Sequence, residues 1–189
     1  MDNLFSEQVF EKVDYKETPL VKGEYEECVF RQCDFYRSDC SDIIFIDCKF
    51  ESCNMGMTQL HNTVFRDVVF IGCKMLGIHF EDCNKFGLSF NTERCSLNHS
   101  SFYQTTVKKA NFRETTFEEV DFTECDLTGS LFDHCDLKDA KFERSILQKV
   151  DFRTSYSYSI DPEQNKIKKS KFALAGLPGL LGKYDIEVE

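Results

Sequence analysis

Tryptophan is absent, so the aromatic content rests on 19 phenylalanines and seven tyrosines. An excess of one aromatic on that scale has to be sought in a pattern. No apolar run approaches the ~18 residues of a membrane helix. Met1–Phe10 carries two acids and no apolar h-region, so no secretory signal is expected. The ten cysteines never fall in the paired CxxC spacing of zinc sites, and no histidine shares their column. These absences predict a cytoplasmic protein with reduced thiols and no metal or other cofactor. Positive charge is scarce as well. Lys and Arg number 23 against 33 Asp and Glu, a net charge of −10. Nucleic acid and anionic membrane would both repel such a chain, which excludes them as expected partners and favours a basic one.

What the sequence does hold is a repeat. Every fifth residue from Phe5 to Phe90 is apolar or cysteine, with Lys85 the one polar exception. The phase then slips by two, and Leu97, Phe102, Val107, Phe112, Phe117, Phe122, Leu127, Phe132, Leu137, Phe142, Leu147 and Phe152 follow without interruption. At 41% hydrophobic overall, such a run arises by chance about once in 10⁴–10⁵ trials. A second column lies two residues earlier and is small: Cys28, Cys33, Cys48, Cys53, Cys73, Cys83, Cys95, then Ser100, Thr105, Ala110, Thr115 and onward to Val150. Period five is neither helical nor that of a strand. It fits a chain that turns a corner every five residues, with one large and one small side chain inward and three outward.

Ala110-Asn111-Phe112, Cys125-Asp126-Leu127, Cys135-Asp136-Leu137 and Val150-Asp151-Phe152 resemble the A(D/N)LXX motif of the pentapeptide-repeat family. The resemblance covers about residues 5–152. It implies an all-β fold, a right-handed quadrilateral β-helix with a coil every twenty residues or so. Residues 1–153 would form that solenoid, with a phase slip near 84–96, and 154–189 a short helical cap. At the slip, Phe86 is expected to turn inward in place of Lys85, with irregular backbone across Asn84–Arg94. In the tail, Asp161-Pro162-Glu163 reads as a helix start. Phe172–Leu181 reads as a short helix ended by Gly182, and Ile186 and Val188 as an edge strand.

The tail itself, with IDPEQNKI and LPGLLGKYDIEVE, is similar to the C-terminal segments of the McbG-type microcin-immunity and quinolone-resistance (Qnr) members. That likeness implies a non-enzymatic protein that binds DNA gyrase or topoisomerase IV, imitates duplex DNA, and forms a homodimer through its C-terminus. Phe172, Leu174, Leu177, Leu180, Leu181, Ile186 and Val188 are the candidate dimer residues. The candidate partner surface is acidic: Glu114, Glu118, Glu119, Glu124, Asp133, Asp139 and Glu143, all outward on the repeat. Acids directly before a central residue, Asp121, Asp126, Asp136 and Asp151, have a turn-bonding reason to be there.

An alternative reading is an adaptor with an unrelated protein partner. Ile44, Ile46, Val64, Val69, Ile71, Leu76 and Phe86 fall at outward positions, enough for an apolar interaction patch. On a twenty-residue map Ile44 stacks with Val64, and Val69 and Ile71 lie on the next wall. The map also puts His79 beside Ser101, on a flat wall without a pocket or oxyanion donors, so no catalysis is expected.

Overall fold

The computed structural model describes residues 3–184 and 186–187. The five-residue period becomes a right-handed square coil whose walls stack by parallel pairing. One wall is a sheet of β1 (Leu4–Ser6), β3 (Glu24–Glu26), β5 (Ile44–Ile46) and β7 (Val64–Arg66). The next is a longer sheet of β2 (Val9–Glu11), β4 (Val29–Arg31), β6 (Lys49–Glu51), β8 (Val68–Ile71), β9 (Phe90–Glu93), β10 (Asn111–Arg113) and β11 (Leu131–Asp133). The other two walls are held by isolated bridges such as Asp34↔Asn54 and Ser101↔Asp121. Tyr25 sits over Phe5, Phe45 over Tyr25 and Phe65 over Phe45, each pair one coil apart. No helix among the described residues is long and apolar enough to cross a membrane.

Outside the slip, both inward columns are buried from Leu20 to Ile160, while Phe5, Phe10 and Val13 of the first coil are partly buried. Rings stack along the axis, as in Phe30–Phe50 at 4.7 Å and Phe102–Phe122 at 5.0 Å. Each buried ring removes enough apolar surface from water to contribute about 1.5–3 kcal/mol. The small column has a second task. Its thiols and hydroxyls donate to the carbonyl of a large residue one coil back: Cys53 Sγ to Phe30 O at 3.3 Å, Thr58 Oγ1 to Phe35 O at 2.9 Å, Ser145 Oγ to Phe122 O at 2.8 Å. Volume alone would admit alanine there. The recurring Cys, Ser and Thr satisfy carbonyl lone pairs in the interior.

All ten cysteines are free and buried. Burial pushes the thiols of Cys40, Cys48, Cys125 and Cys135 up to about 12, far from the thiolate form that reacts. Native protein treated with an alkylating reagent at mildly alkaline pH is expected to stay unmodified, and to label fully in denaturant. Mass spectrometry showing native labelling at any of those four would contradict the packing.

At most corners the second residue after the large one turns left-handed, with φ between 48° and 65° where it is not glycine. Glycine does this at Gly72, Gly77 and Gly129, but Glu, Asp, Lys, Arg and His fill most corners. The strain is small per residue and is held by backbone bonds to the next coil, such as Glu27 N–H to Ile46 O at 3.0 Å. Corners therefore present long charged side chains.

The phase slip lies earlier and tighter than its apolar spacing predicts. Asn84 N–H still donates to Thr63 O as in a regular coil, whereas Val68 already pairs with Phe90 and Phe70 with Thr92. Two extra residues are thus absorbed between 84 and 89. Phe86 does not turn inward; it is 85% exposed, and Leu88 is the buried residue of the segment. Gly87, at φ +80°, carries the chain round. Phe90 also changes column. It stands above Val68 in the small column, while Thr92 takes the large position above Phe70. The two residues exchange volumes, and both are 2% exposed. Thr92 Oγ1 meets Thr115 Oγ1 at 2.9 Å. From Phe90 onward the backbone is regular strand, so the irregular stretch is shorter than Asn84–Arg94.

The column also continues past residue 153. Ile146 bridges Lys166, Asp151 bridges Lys171, and Phe172 stacks on Phe152 at 5.4 Å. Asp161-Pro162-Glu163 starts a turn and no helix: Asp161 Oδ1 accepts the Glu163 N–H at 2.9 Å. The chain is drawn back to the ladder by Asn165. Its Nδ2 donates to Phe142 O at 2.7 Å and its Oδ1 accepts from Ser145 N at 2.9 Å, so it acts as a small-column residue. The helical part of the tail is 3₁₀, Leu174–Leu180 and Gly182–Tyr184. Gly176 and Gly179 press against Tyr158 so closely that a side chain at either would collide with it. Ile186 belongs to no strand, and Val188 lies outside the described residues.

Candidate interaction surface

The acids of residues 114–143 point outward but do not form one stripe. Asp133 is on the β2–β11 wall, Glu118 and Asp136 on the next, Asp121 on the one after, and Asp126 on the β1–β7 wall extended by bridges. Glu114, Glu119, Glu124 and Asp139 sit at left-handed corners between walls. The carboxylates therefore ring the column.

Most of the ring is paired. Lys138 Nζ lies 2.5 Å from Glu118, Arg144 3.0 Å from Glu124, His99 3.3 Å from Glu119, and Arg113 3.3 Å from Glu114 and 3.9 Å from Asp133. Lys138, Arg144, His99 and, for Asp133, Arg113 are one coil away, twenty residues along the chain. Reading charge at that spacing would have revealed them; reading acid density did not. Asp121, Asp136, Asp139 and Glu143 have no ion-pair partner among the described residues.

The motif acids have the turn role expected of them. Asp121 Oδ1 accepts Thr123 N–H at 2.8 Å, Asp126 accepts Thr128 N–H at 3.0 Å and Asp136 accepts Lys138 N–H at 3.1 Å. The same bond recurs at Asp34, Asp39 and Asp151.

Several carboxyls are held below their ordinary range. The Lys138 hydrogen bond lowers Glu118, and Gln104 with Arg144 lowers Glu124. Thr154 and His134 lower Asp133, and Arg153 lowers Asp151. A depressed folded value contributes stability that is complete above the unfolded carboxylate range, about pH 4, and is lost as pH falls through the folded values. The melting temperature is expected to be level down to about pH 5 and to fall progressively below it. A flat profile to pH 3 would contradict the pairing.

The apolar candidates separate. Ile44 and Val64 are register neighbours on one wall, with Ile46 beside them over Arg66. Val69 and Ile71 lie on the next wall, above Lys49 and Glu51. Leu76 is on a third wall and Phe86 on the slip. The tail candidates separate too. Phe172 and Leu180 pack on the core, Leu181 is half-buried, and Leu174, Leu177 and Ile186 are exposed, Leu174 at 85%.

His79 does stand beside Ser101. Its Nδ1 is 3.0 Å from Glu81 Oε1, an acid the sequence map left out. Ser101 Oγ accepts the Tyr103 N–H at 3.3 Å. The two side chains thus serve separate local bonds. No group of three or more metal-ligating side chains gathers among the described residues.

The family model described as the pentapeptide repeat region matches residues 24–94 and 87–152. No curated protein matches significantly. Two trypsin-treated variants of QnrB1, a plasmid-mediated fluoroquinolone resistance protein, have similar structures. One shares 15% identity with a TM-score of 0.63 and covers 100% of both chains. The other shares 16% identity with a TM-score of 0.63 and covers 98% of this chain and 97% of its own. At that identity the likeness is one of fold.

Proposed function

Because the chain belongs to the pentapeptide-repeat family, we propose that it is a non-enzymatic mimic of duplex DNA that binds DNA gyrase or topoisomerase IV in the cytoplasm and protects or modulates it against a toxin or drug. One observation carries the reading: a stacked column around which outward carboxylates recur beyond those that its turns require. Glu114, Glu118, Glu119, Glu124, Asp133, Asp139 and Glu143 are the proposed contacts. Duplex DNA binds a topoisomerase largely through phosphate charge, so a rod with carboxylates at coil spacing can occupy the same basic saddle. Whole-length likeness of fold to a fluoroquinolone resistance protein supports this. Within residues 154–189, the segment that follows the last coil at Phe172 is proposed as the cap and as an end-to-end homodimer contact, through exposed Leu174, Leu177 and Ile186.

The adaptor reading rests on the adjacent Ile44 and Val64, with Val69 and Ile71 round the corner. Binding to immobilised gyrase and topoisomerase IV tests both. The mimic is expected to bind one of them, to be displaced by duplex DNA and to weaken steeply with salt. Absence of binding to either enzyme would refute it, and salt-insensitive binding would favour the adaptor.

A further inference from the structure

The corner between the β1–β7 wall and the β2–β11 wall carries one residue per coil. In order along the axis these are Glu7, Glu27, Asp47, Asp67, Ser89, Lys109, Gly129, Lys149 and Lys169. The stacking is set by backbone bonds: Glu7 N–H to Glu26 O, Glu27 N–H to Ile46 O, Asp47 N–H to Arg66 O, Lys109 N–H to Thr128 O and Lys149 N–H to Lys168 O, at 2.9–3.1 Å. The charged members are exposed in left-handed backbone. The ladder is therefore acidic over its first half and basic over its second. The sign changes at Ser89, whose Oγ is bonded to Asp67.

Many charges on the other faces are compensated across a coil, as at Glu118–Lys138 and Arg31–Glu51. Glu7, Glu27, Asp47, Asp67, Lys109, Lys149 and Lys169 have no ion-pair partner among the described residues. Like charges stacked at about 4.8 Å, the strand spacing, repel one another. The fold bears that repulsion along this corner with no counter-charge of its own.

We infer that this corner pairs with the same corner of a second copy, side by side and antiparallel. A twofold axis at Ser89 sets Glu7 against Lys169, Glu27 against Lys149, Asp47 against Gly129 and Asp67 against Lys109. Three of the four acidic rungs then face a lysine, and each side presents the same pattern, as an isologous contact requires. Turning the copy parallel brings like charges together, and shifting the antiparallel register by one coil leaves two acid–lysine pairs in place of three, so the charges fix direction and favour this register. This lateral contact is independent of the proposed end-to-end one and of the topoisomerase reading.

The test uses two charge-reversed full-length chains. One carries Glu7→Lys and Glu27→Lys, making its ladder basic; the other carries Lys149→Glu and Lys169→Glu, making it acidic. Small-angle scattering reads the cross-sectional radius, which lateral pairing enlarges and end-to-end pairing leaves alone. The parent is expected to show the enlarged cross-section at low salt and lose it at high salt. Each variant alone is expected to lose it, and an equimolar mixture to regain it, because every reversed charge again meets its opposite. Either variant keeping the parent's cross-section, or a mixture of folded variants failing to restore it, overturns the proposal. So does a parent of single-column cross-section at low salt that instead retains duplex DNA on its lysine half.

Discussion

Replacing Phe122 with alanine is expected to destabilise the protein by about 3–5 kcal/mol, a fall in melting temperature on the order of 10 °C. The ring is fully buried and stacks at 5.0 Å on Phe102 below and at 5.0 Å on Phe142 above. Backbone bonds to both neighbouring coils prevent the column from collapsing into the space, so the cavity persists. Phe90→Ala is expected to cost about as much. Although it borders the slip, Phe90 is buried and stacks on Phe80 at 5.1 Å, and its ring fills the volume that Thr92 leaves. Phe86→Ala, on the same insertion, is expected to change stability by no more than about 0.5 kcal/mol. Thermal melts of the three decide the matter. A mild Phe90→Ala would show that the slip packs loosely and that the exchange of columns is wrong.

Changing Glu118, Glu119, Glu124 and Asp133 to their amides is expected to weaken topoisomerase binding by at least about 100-fold, because such charges steer and hold a partner whose natural ligand is polyanionic. The effect is compounded by the partners left behind. Lys138 and Arg144 lose their carboxylates and become free positive charges facing a basic surface. Stability should move little, since water screens exposed pairs of this kind. Asp126→Ala is different, since it removes the oxygen that accepts both the backbone N–H and the hydroxyl of Thr128, and it should lower the melting temperature instead. Replacing Ile44, Val64, Val69 and Ile71 with threonine should leave affinity and its salt dependence near those of the parent. The reverse ranking of the two quartets, read by surface binding, would assign the partner to the apolar walls.

The solenoid was legible because its cause is periodic: a large and a small residue must point inward once per side, and both columns show in the primary order. The turn role of Asp126 and Asp136 was legible for the same reason. The slip was not, because apolar spacing cannot register Thr92 in a phenylalanine position or Phe90 in a small one. Only the pairing of Phe70 with Thr92 places them. The extra coil to Phe172 was hidden by Asn165, a polar residue that completes a small-column site through two hydrogen bonds. At the candidate surface, acid density was visible but its neutralisation was not, since Lys138 and Arg144 reach Glu118 and Glu124 across a coil rather than along the chain. Which charges remain free is a property of the stacked column.

A DNA-supercoiling assay with purified gyrase, run with and without a gyrase poison, tests the central claim most directly. A mimic that occupies the DNA saddle is expected to lower the poison-dependent cleaved complex, and at higher concentration to slow supercoiling, with both effects relieved by added duplex DNA. Supercoiling and cleavage that are unchanged at a large molar excess of the protein would contradict it.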